Sequence, residues 1–82
     1  MPRYLLELEY ESGERLRDIE GSEVPDQQAA MAEADRGIRE LIAATIVDRR
    51  QDLPMRIIVV DDRGRDVGVI TSRDVIPEAW RV

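Results

Sequence analysis

The chain has 82 residues and a net charge of −6, from 18 acidic and 12 basic side chains, and it contains neither cysteine nor histidine. This composition excludes disulfide scaffolds, cysteine nucleophiles, thiolate or imidazole metal sites and histidine acid–base catalysis. A chain of this length is expected to form one domain over residues 1–82.

The distribution of charge disfavours nucleic acids and membrane surfaces as partners. All 12 basic residues are arginine, and the first 27 residues alone hold eight acidic side chains against three arginines. Nucleic acids and anionic membranes are bound by concentrated basic patches, which this chain lacks. No apolar run approaches the ~20 residues of a membrane-spanning helix, and no secretion signal is visible. We therefore expect a cytoplasmic protein that binds neither nucleic acid nor membranes.

The first predicted hairpin has strands over residues 3–10 and 14–20. Its first strand, RYLLELEY, alternates between apolar and mixed positions, which is typical of a strand with one buried face. A three-residue turn ending in Gly13 then sets the register. The predicted pairs are Leu8 with Leu16 on the inner face, and Glu7 with Arg17, Glu9 with Arg15 and Leu5 with Ile19 on the outer face.

Residues 26–50 are predicted to form a helix. Asp26 suits the N-cap, because its carboxylate can accept from the first free amides of a helix. A stripe at three- and four-residue spacing faces the core: Ala30, Met31, Ala34, Ile38, Leu41, Ile42 and Thr45. Gly37 interrupts the helix at a cost of about 1 kcal/mol relative to alanine. It marks either a close approach to the sheet or a tolerated residue.

The second predicted hairpin has strands over residues 55–61 and 66–72, joined by the loop Asp62-Arg63-Gly64. A closing pair of Asp61 and Arg65 sets Val59 opposite Val67 and Ile57 opposite Val69. Residues 73–82 follow as a C-terminal tail.

These elements predict an α+β fold of ββαββ type. A right-handed crossover through the helix makes the third strand parallel in direction to the second, and we expect the third strand to lie beside the first. The result is a four-stranded antiparallel sheet of order 2-1-3-4, with the two most apolar strands in the centre and one long helix packed on one face.

The sheet face opposite the helix is predicted to be apolar and in need of a cover, since one helix covers only one face of a sheet. Five aliphatic side chains point to it: Leu5, Ile19, Ile58, Val60 and Ile70. Gly68 is expected to leave a notch beside Ile58. Either the tail folds back and covers this face with Val75, Ile76 and Trp80, or two chains pack face to face as a symmetric dimer. Both can hold.

The length of the helix adds a second indication of association. A helix of about 37 Å exceeds strands of about 20–23 Å, so its last turns, with Ile46 and Val47, are expected to overhang the sheet. We therefore expect a homodimer. Its interface residues are predicted to be Leu5, Ile19, Ile58, Val60, Ile70 and Trp80.

The polar motifs favour structural roles over chemistry. The run DDRGRD from Asp61 to Asp66 lacks the alternating oxygen ligands of a calcium loop and is typical of a hairpin turn. The carboxylates of Glu7 and Glu9 face arginines across the hairpin, so they are not poised for acid–base catalysis. We expect no enzymatic activity, no catalytic residue, no cofactor and no metal ion.

The chain resembles a family of small bacterial proteins of unknown function whose members typically begin Met-Pro-Arg-Tyr-Phe-Phe. The resemblance covers about residues 1–76 and is carried by Met1 to Tyr4, by Val24-Pro25-Asp26 and by the segment from Arg56 through Arg65. The chain departs from the family pattern at Leu5 and Leu6, which replace an aromatic pair, and at Ile58 and Val60, which replace polar residues. The resemblance implies a hairpin–helix–hairpin fold and a cytoplasmic bacterial setting, and it implies no catalytic residues.

Two functions remain open from the sequence. The first is a non-enzymatic interaction module that self-associates, or binds a protein partner, through the face opposite the helix. The alternative is an antitoxin-like or regulatory protein whose acidic surface binds a basic protein partner.

Overall fold

A sheet of antiparallel strands carries one long helix on one face in the computed structural model, which describes residues 2–17 and 21–80. In chain order the elements are β1 (Arg3–Tyr10), β2 (Arg15–Arg17), β3 (Ser22–Glu23), α1 (Gln27–Val47), β4 (Pro54–Val60), β5 (Asp66–Thr71), α2 (Ser72–Val75) and a 3-10 turn over Glu78–Trp80. The predicted α+β class, with an antiparallel sheet and one long helix, is confirmed.

The number of strands differs from the prediction. The described part of the chain has five strands, with β2-β1-β4-β5 in that order and β3 paired to β1 off this path. In the additional pairing, Arg3 lies opposite Glu23 and Tyr4 opposite Ser22. A two-residue strand shows no alternation, which is why the predicted count of four omitted it.

The register of the first hairpin is confirmed where the structure describes it. Leu8 lies opposite Leu16, with the two Glu–Arg pairs on either side. Gly13 adopts a φ of 96°, as the three-residue turn requires. The described part of the second strand spans Arg15–Arg17, and residues 18–20 of the predicted strand lie outside the described residues. The predicted pairing of Leu5 with Ile19 lies outside the described residues.

The predicted register of the second hairpin is wrong by one residue. The closing pair forms, since the Asp61 amide donates to the Arg65 carbonyl at 2.9 Å. One step further, however, the register shifts between Val60, opposite Asp66, and Val59, opposite Gly68. Val67 is thus an extra residue on β5, which makes this a β-bulge.

Because of the bulge, each side chain of β5 after Val67 points to the sheet face opposite to the predicted one, since a one-residue shift in register reverses the side-chain direction. Ile70 packs against the core beneath α1 and does not point to the opposite face as predicted. Gly68 faces α1 and not the opposite face as predicted, because a Cβ atom there would overlap Met31 Sδ. Val69 takes the opposite face and is 47% exposed.

The helix begins as predicted and ends three residues earlier. Asp26 Oδ1 accepts from the Ala29 amide at 2.9 Å, which confirms the N-cap. At the other end the amides of Arg49 and Arg50 donate to the carbonyls of Ile46 and Thr45, at 3.2 and 3.0 Å. Arg49 adopts a φ of 56° there. These two hydrogen bonds and the left-handed residue form a Schellman motif, which stops α1 at Val47.

The core lies between the small-residue stripe of α1 and the inner side of β4. Its buried apolar residues are Ala30, Ala34, Ile38, Ile57 and Val59. The two alanines let the helix backbone approach the sheet closely. Thr45, which is 5% exposed, satisfies its hydroxyl by donating to the Leu41 carbonyl at 2.7 Å.

Replacing Gly37 by alanine is expected to stabilise the protein. A Cβ atom at this position would lie 3.8 Å from Ile57 Cδ1, an ordinary contact distance, so the methyl group fits. The free energy of unfolding should rise by about 0.5–1 kcal/mol, the helix propensity difference. Urea unfolding measures this, with Ala44→Gly at an exposed position of α1 as the inverse control. A loss of stability in Gly37→Ala would show that the helix lies closer to the sheet than described.

Gly21→Ala is expected to destabilise the protein by about 1–3 kcal/mol, because Gly21 combines a left-handed backbone with close contacts. Its φ is 72°, and a Cβ atom would lie 2.8 Å from the Tyr4 carbonyl oxygen. Gly13→Ala is the matched control, because its φ is 96° but nothing lies within 4 Å of the added methyl. Equal losses in thermal unfolding for the two variants would contradict the packing of Gly21 against β1.

Candidate functional site

The sheet face opposite α1, here called the outer face, carries a row of aliphatic side chains across β1, β4 and β5. Val60 lies opposite Leu5, and Ile58 lies opposite Val69. We call these four residues the outer patch. Val60 is 6% exposed, Leu5 and Ile58 are half-buried, and Val69 is the most exposed of the four. A shallow groove of about 390 Å³ runs along Ile58, Gly68 and Val69.

An ion-pair network covers the outer face beside the patch. Glu9 contacts Arg15 at 2.8 Å and Arg56 at 3.1 Å, and Glu7 contacts Arg17 at 3.3 Å and Arg15 at 3.6 Å. The Glu side chains are 14% and 16% exposed, whereas the arginines paired with them are 45% to 62% exposed. The cross-hairpin pairs Glu7–Arg17 and Glu9–Arg15 are confirmed. Arg56 was missed, although it lies directly opposite Glu9 in the sheet.

The structure brings together only part of the predicted interface. Leu5, Ile58 and Val60 share the outer face as predicted, and Val69 takes the place expected for Ile70. Ile19 lies outside the described residues. Trp80 lies on the helix side, beside Ile46 and Val47 of α1.

The described part of the tail does not cover the outer face. Val75 packs against the core under α1, and α2 contacts α1, β4 and β5. The predicted alternative in which Val75, Ile76 and Trp80 fold back over the outer face is therefore wrong for residues 72–80. The apolar side chains of this segment instead lie beside the C-terminal end of α1, which extends beyond the sheet.

The same packing creates a second candidate surface, which we call the terminal groove. It has a volume of about 380 Å³ and lies between the second half of α1 and the tail. Its lining residues are Arg39, Ile42, Ala43, Ile46, Val47, Val75, Ile76, Pro77 and Trp80. The overhang of Ile46 and Val47 was expected from the helix length, but the groove itself was not, because its other wall comes from the tail.

The Asp61 carboxylate organises the turn between β4 and β5. Its oxygens accept from the amides of Arg65 and Arg63, each at 2.9 Å, and from Arg65 Nε at 3.0 Å. The hydrogen bond from the Arg65 amide is the largest effect on the pKa of Asp61 and lowers it. Burial, the next largest effect, opposes this, and the Arg63 amide and the Arg65 guanidinium lower the pKa further, so that it lies below its usual value. Within residues 2–17 and 21–80, no cluster of three or more acidic residues is placed to hold a metal ion.

These features define a small α+β domain whose distinctive surfaces are the outer patch and the terminal groove. A family model described as a domain of unknown function (DUF6894) matches residues 3–73, so the chain belongs to the DUF6894 family. No curated protein and no solved structure matches the chain. Across the described residues, the helices are too short or too polar to cross a bilayer.

Replacing Asp61 by asparagine is expected to change how stability depends on pH. A carboxylate whose pKa is lowered by folding stabilises the folded state above its unfolded pKa, and this contribution disappears as the pH falls. The wild type should therefore lose stability below about pH 4, the ordinary range of aspartate. Asp61→Asn should be less stable at neutral pH and lose less on acidification.

Thermal unfolding across pH measures this difference. Asp62→Asn is the control in the same turn, since the hydrogen bonds described for the turn carboxylates all belong to Asp61. Parallel acid profiles for the wild type and Asp61→Asn would contradict the role of the carboxylate.

Proposed function

We propose that this protein is a non-enzymatic interaction module that self-associates through the outer face, in the cytoplasm of a bacterium. One observation carries the self-association. Four aliphatic side chains occupy adjacent register positions on the sheet face opposite α1, and among them Leu5 and Ile58 are partly exposed and Val69 is 47% exposed. Strands that are apolar on both faces are normally buried on both faces. The family resemblance and the cysteine-free composition support the setting.

The arrangement of the outer face suits a contact between identical chains. Protein interfaces combine an apolar centre with a polar rim in which arginine is enriched. Here the outer patch provides the centre, and the network of Glu7, Glu9 and the surrounding arginines provides one side of the rim. Each acid of this network is already paired, so the patch can be buried without leaving those carboxylates uncompensated.

A two-fold axis through the outer patch would place the same residues on both sides of the contact. In such an isologous interface, each aliphatic side chain meets the corresponding region of the partner. Val69 and Ile58 would lie at its centre, because they pair across β4 and β5 and flank the shallow groove. Val60 contributes less new buried area, since it is already 6% exposed.

The interactions of the acidic side chains support the non-enzymatic part of the proposal. The carboxylates of Glu7 and Glu9 are bound by arginines, and that of Asp61 is bound by its own turn. A general base needs a free carboxylate within reach of a substrate proton. These three groups instead stabilise the two hairpins.

Sedimentation velocity over a concentration series tests the proposal. The wild type should sediment as a dimer, and Ile58→Glu/Val69→Glu should weaken dimerisation at least about 100-fold, because unpaired charges would be buried in the contact. Leu16→Glu is the matched control, since Leu16 is 49% exposed and Val69 is 47% exposed, but Leu16 lies on the inner face.

Circular dichroism would verify that each variant remains folded. A wild type that stays monomeric at every concentration would refute the proposal. So would a folded double variant that associates as strongly as the wild type.

A further inference from the structure

We propose that the terminal groove binds an anionic amphiphile, with the apolar chain lying between α1 and the tail and the carboxylate on Arg39. This site is separate from the proposed dimer contact, because the groove lies on the helix side of the sheet. The inference therefore holds whether or not the chain dimerises through the outer face.

The first observation is the amount of apolar surface at the groove. Ile46 is 58% exposed, Val47 is 79% exposed and Trp80 is 66% exposed, the three highest values among the exposed large apolar residues described. All three line the same groove. Exposed apolar side chains scattered singly need no explanation, but a contiguous group commonly marks a binding surface.

The second observation is the shape and size of the groove. Along α1 the lining runs from Arg39 to Val47, a length of about 12 Å at the helical rise per residue. The volume of about 380 Å³ falls in the range of small-molecule sites, which is ~300–1,000 Å³. Such sites are mostly apolar with few polar groups that fix orientation. The groove therefore suits a short aliphatic chain.

The third observation is the charge of the groove. Among the described residues that line the groove, Arg39 is the one with a charged side chain. The carboxylate of Asp35 contacts Arg39 Nη2 at 3.1 Å, and the Asp35 carbonyl accepts from Nε at 3.4 Å. These contacts orient the guanidinium and leave N–H donors for a second anion, since a guanidinium has five donors. The Arg39 guanidinium can therefore bind an anionic head group at one end of the apolar groove.

The net charge of the chain makes this assignment selective. With a net charge of −6, the protein as a whole attracts cations. A preference of the groove for an anionic amphiphile would run against this net charge, and the Arg39 guanidinium is the charge on the described lining that would produce it. A cationic amphiphile of equal chain length is the natural competitor in a test.

Trp80 provides the signal for the experiment, because it is the only tryptophan of the chain and lines the groove. Decanoate, decyltrimethylammonium and decanol would each be titrated into the full chain below their micelle-forming concentrations. We expect decanoate to shift the Trp80 emission to shorter wavelength with saturation. Decanoate should bind at least about fivefold more tightly than decyltrimethylammonium, because it forms a partly desolvated ion pair with Arg39.

Two variants test the assigned contacts. Arg39→Gln should weaken decanoate binding about three- to tenfold, the value of one exposed charge-assisted hydrogen bond, and leave decanol unchanged. Arg36→Gln removes the same charge from the preceding turn, where the side chain does not line the groove, and should bind decanoate as the wild type does. Ala43→Glu places a carboxylate inside the groove and should abolish decanoate binding.

The outcomes separate this proposal from its competitors. Equal affinity for the three amphiphiles, equal effects of Arg39→Gln and Arg36→Gln, or a shift that never saturates would overturn it. A blue shift that depends on protein concentration without ligand, and that persists in Ile58→Glu/Val69→Glu, would show that a second chain fills the groove. That result would also overturn the proposal.

Discussion

The structure depends on one constraint, which is that a single helix can cover only one face of the sheet. Ala30 and Ala34 bring α1 close to β4, and Ile38 packs with Ile57 and Val59 to form the buried core. The helix thereby covers the inner face of the sheet, and the outer face has to be stabilised without a second layer. Ion pairs of Glu7 and Glu9 with arginines occupy one half of the outer face, and the aliphatic outer patch occupies the other half.

A single extra residue in β5 decides which aliphatic side chains belong to each face. The bulge at Val67 turns Ile70 into the core and Val69 outward. It also brings Gly68 beneath Met31, where only a glycine leaves room for the thioether. The Val67 carbonyl accepts from Gln27 Nε2 at 2.8 Å, so a side chain from the start of α1 satisfies the irregular position. The bulge is therefore an integral part of the fold, as bulges commonly are.

The mismatch in length between helix and sheet accounts for the second surface. An α1 of 21 residues extends about 31 Å, longer than the strands it covers, so its final turns lie beyond the core. The tail turns toward this end after Thr71, where the Asp74 carboxylate accepts from the Thr71 amide at 3.4 Å and from the Thr71 hydroxyl at 2.8 Å at the start of α2. Helix overhang and tail together form the terminal groove. The two candidate surfaces thus have a common origin in the single helix. The outer patch lies on the sheet face that α1 does not cover, and the terminal groove lies at the end of α1 that the sheet does not cover.

Local patterns in the sequence determined the strands other than β3, the N-cap at Asp26, the register around Gly13 and the turn at Asp61, since each depends on neighbours within a few residues. The DUF6894 family likewise follows from residues 3–73 alone. The bulge at Val67, the pairing of β3 with β1 and the position of the tail required the tertiary structure. Alternating side chains cannot reveal an inserted residue, because VGVI is apolar in either register. What selects the register is the fit of Gly68 under Met31 and of Ile70 into the core, contacts between segments about 40 residues apart in the chain that form only when the sheet and helix pack.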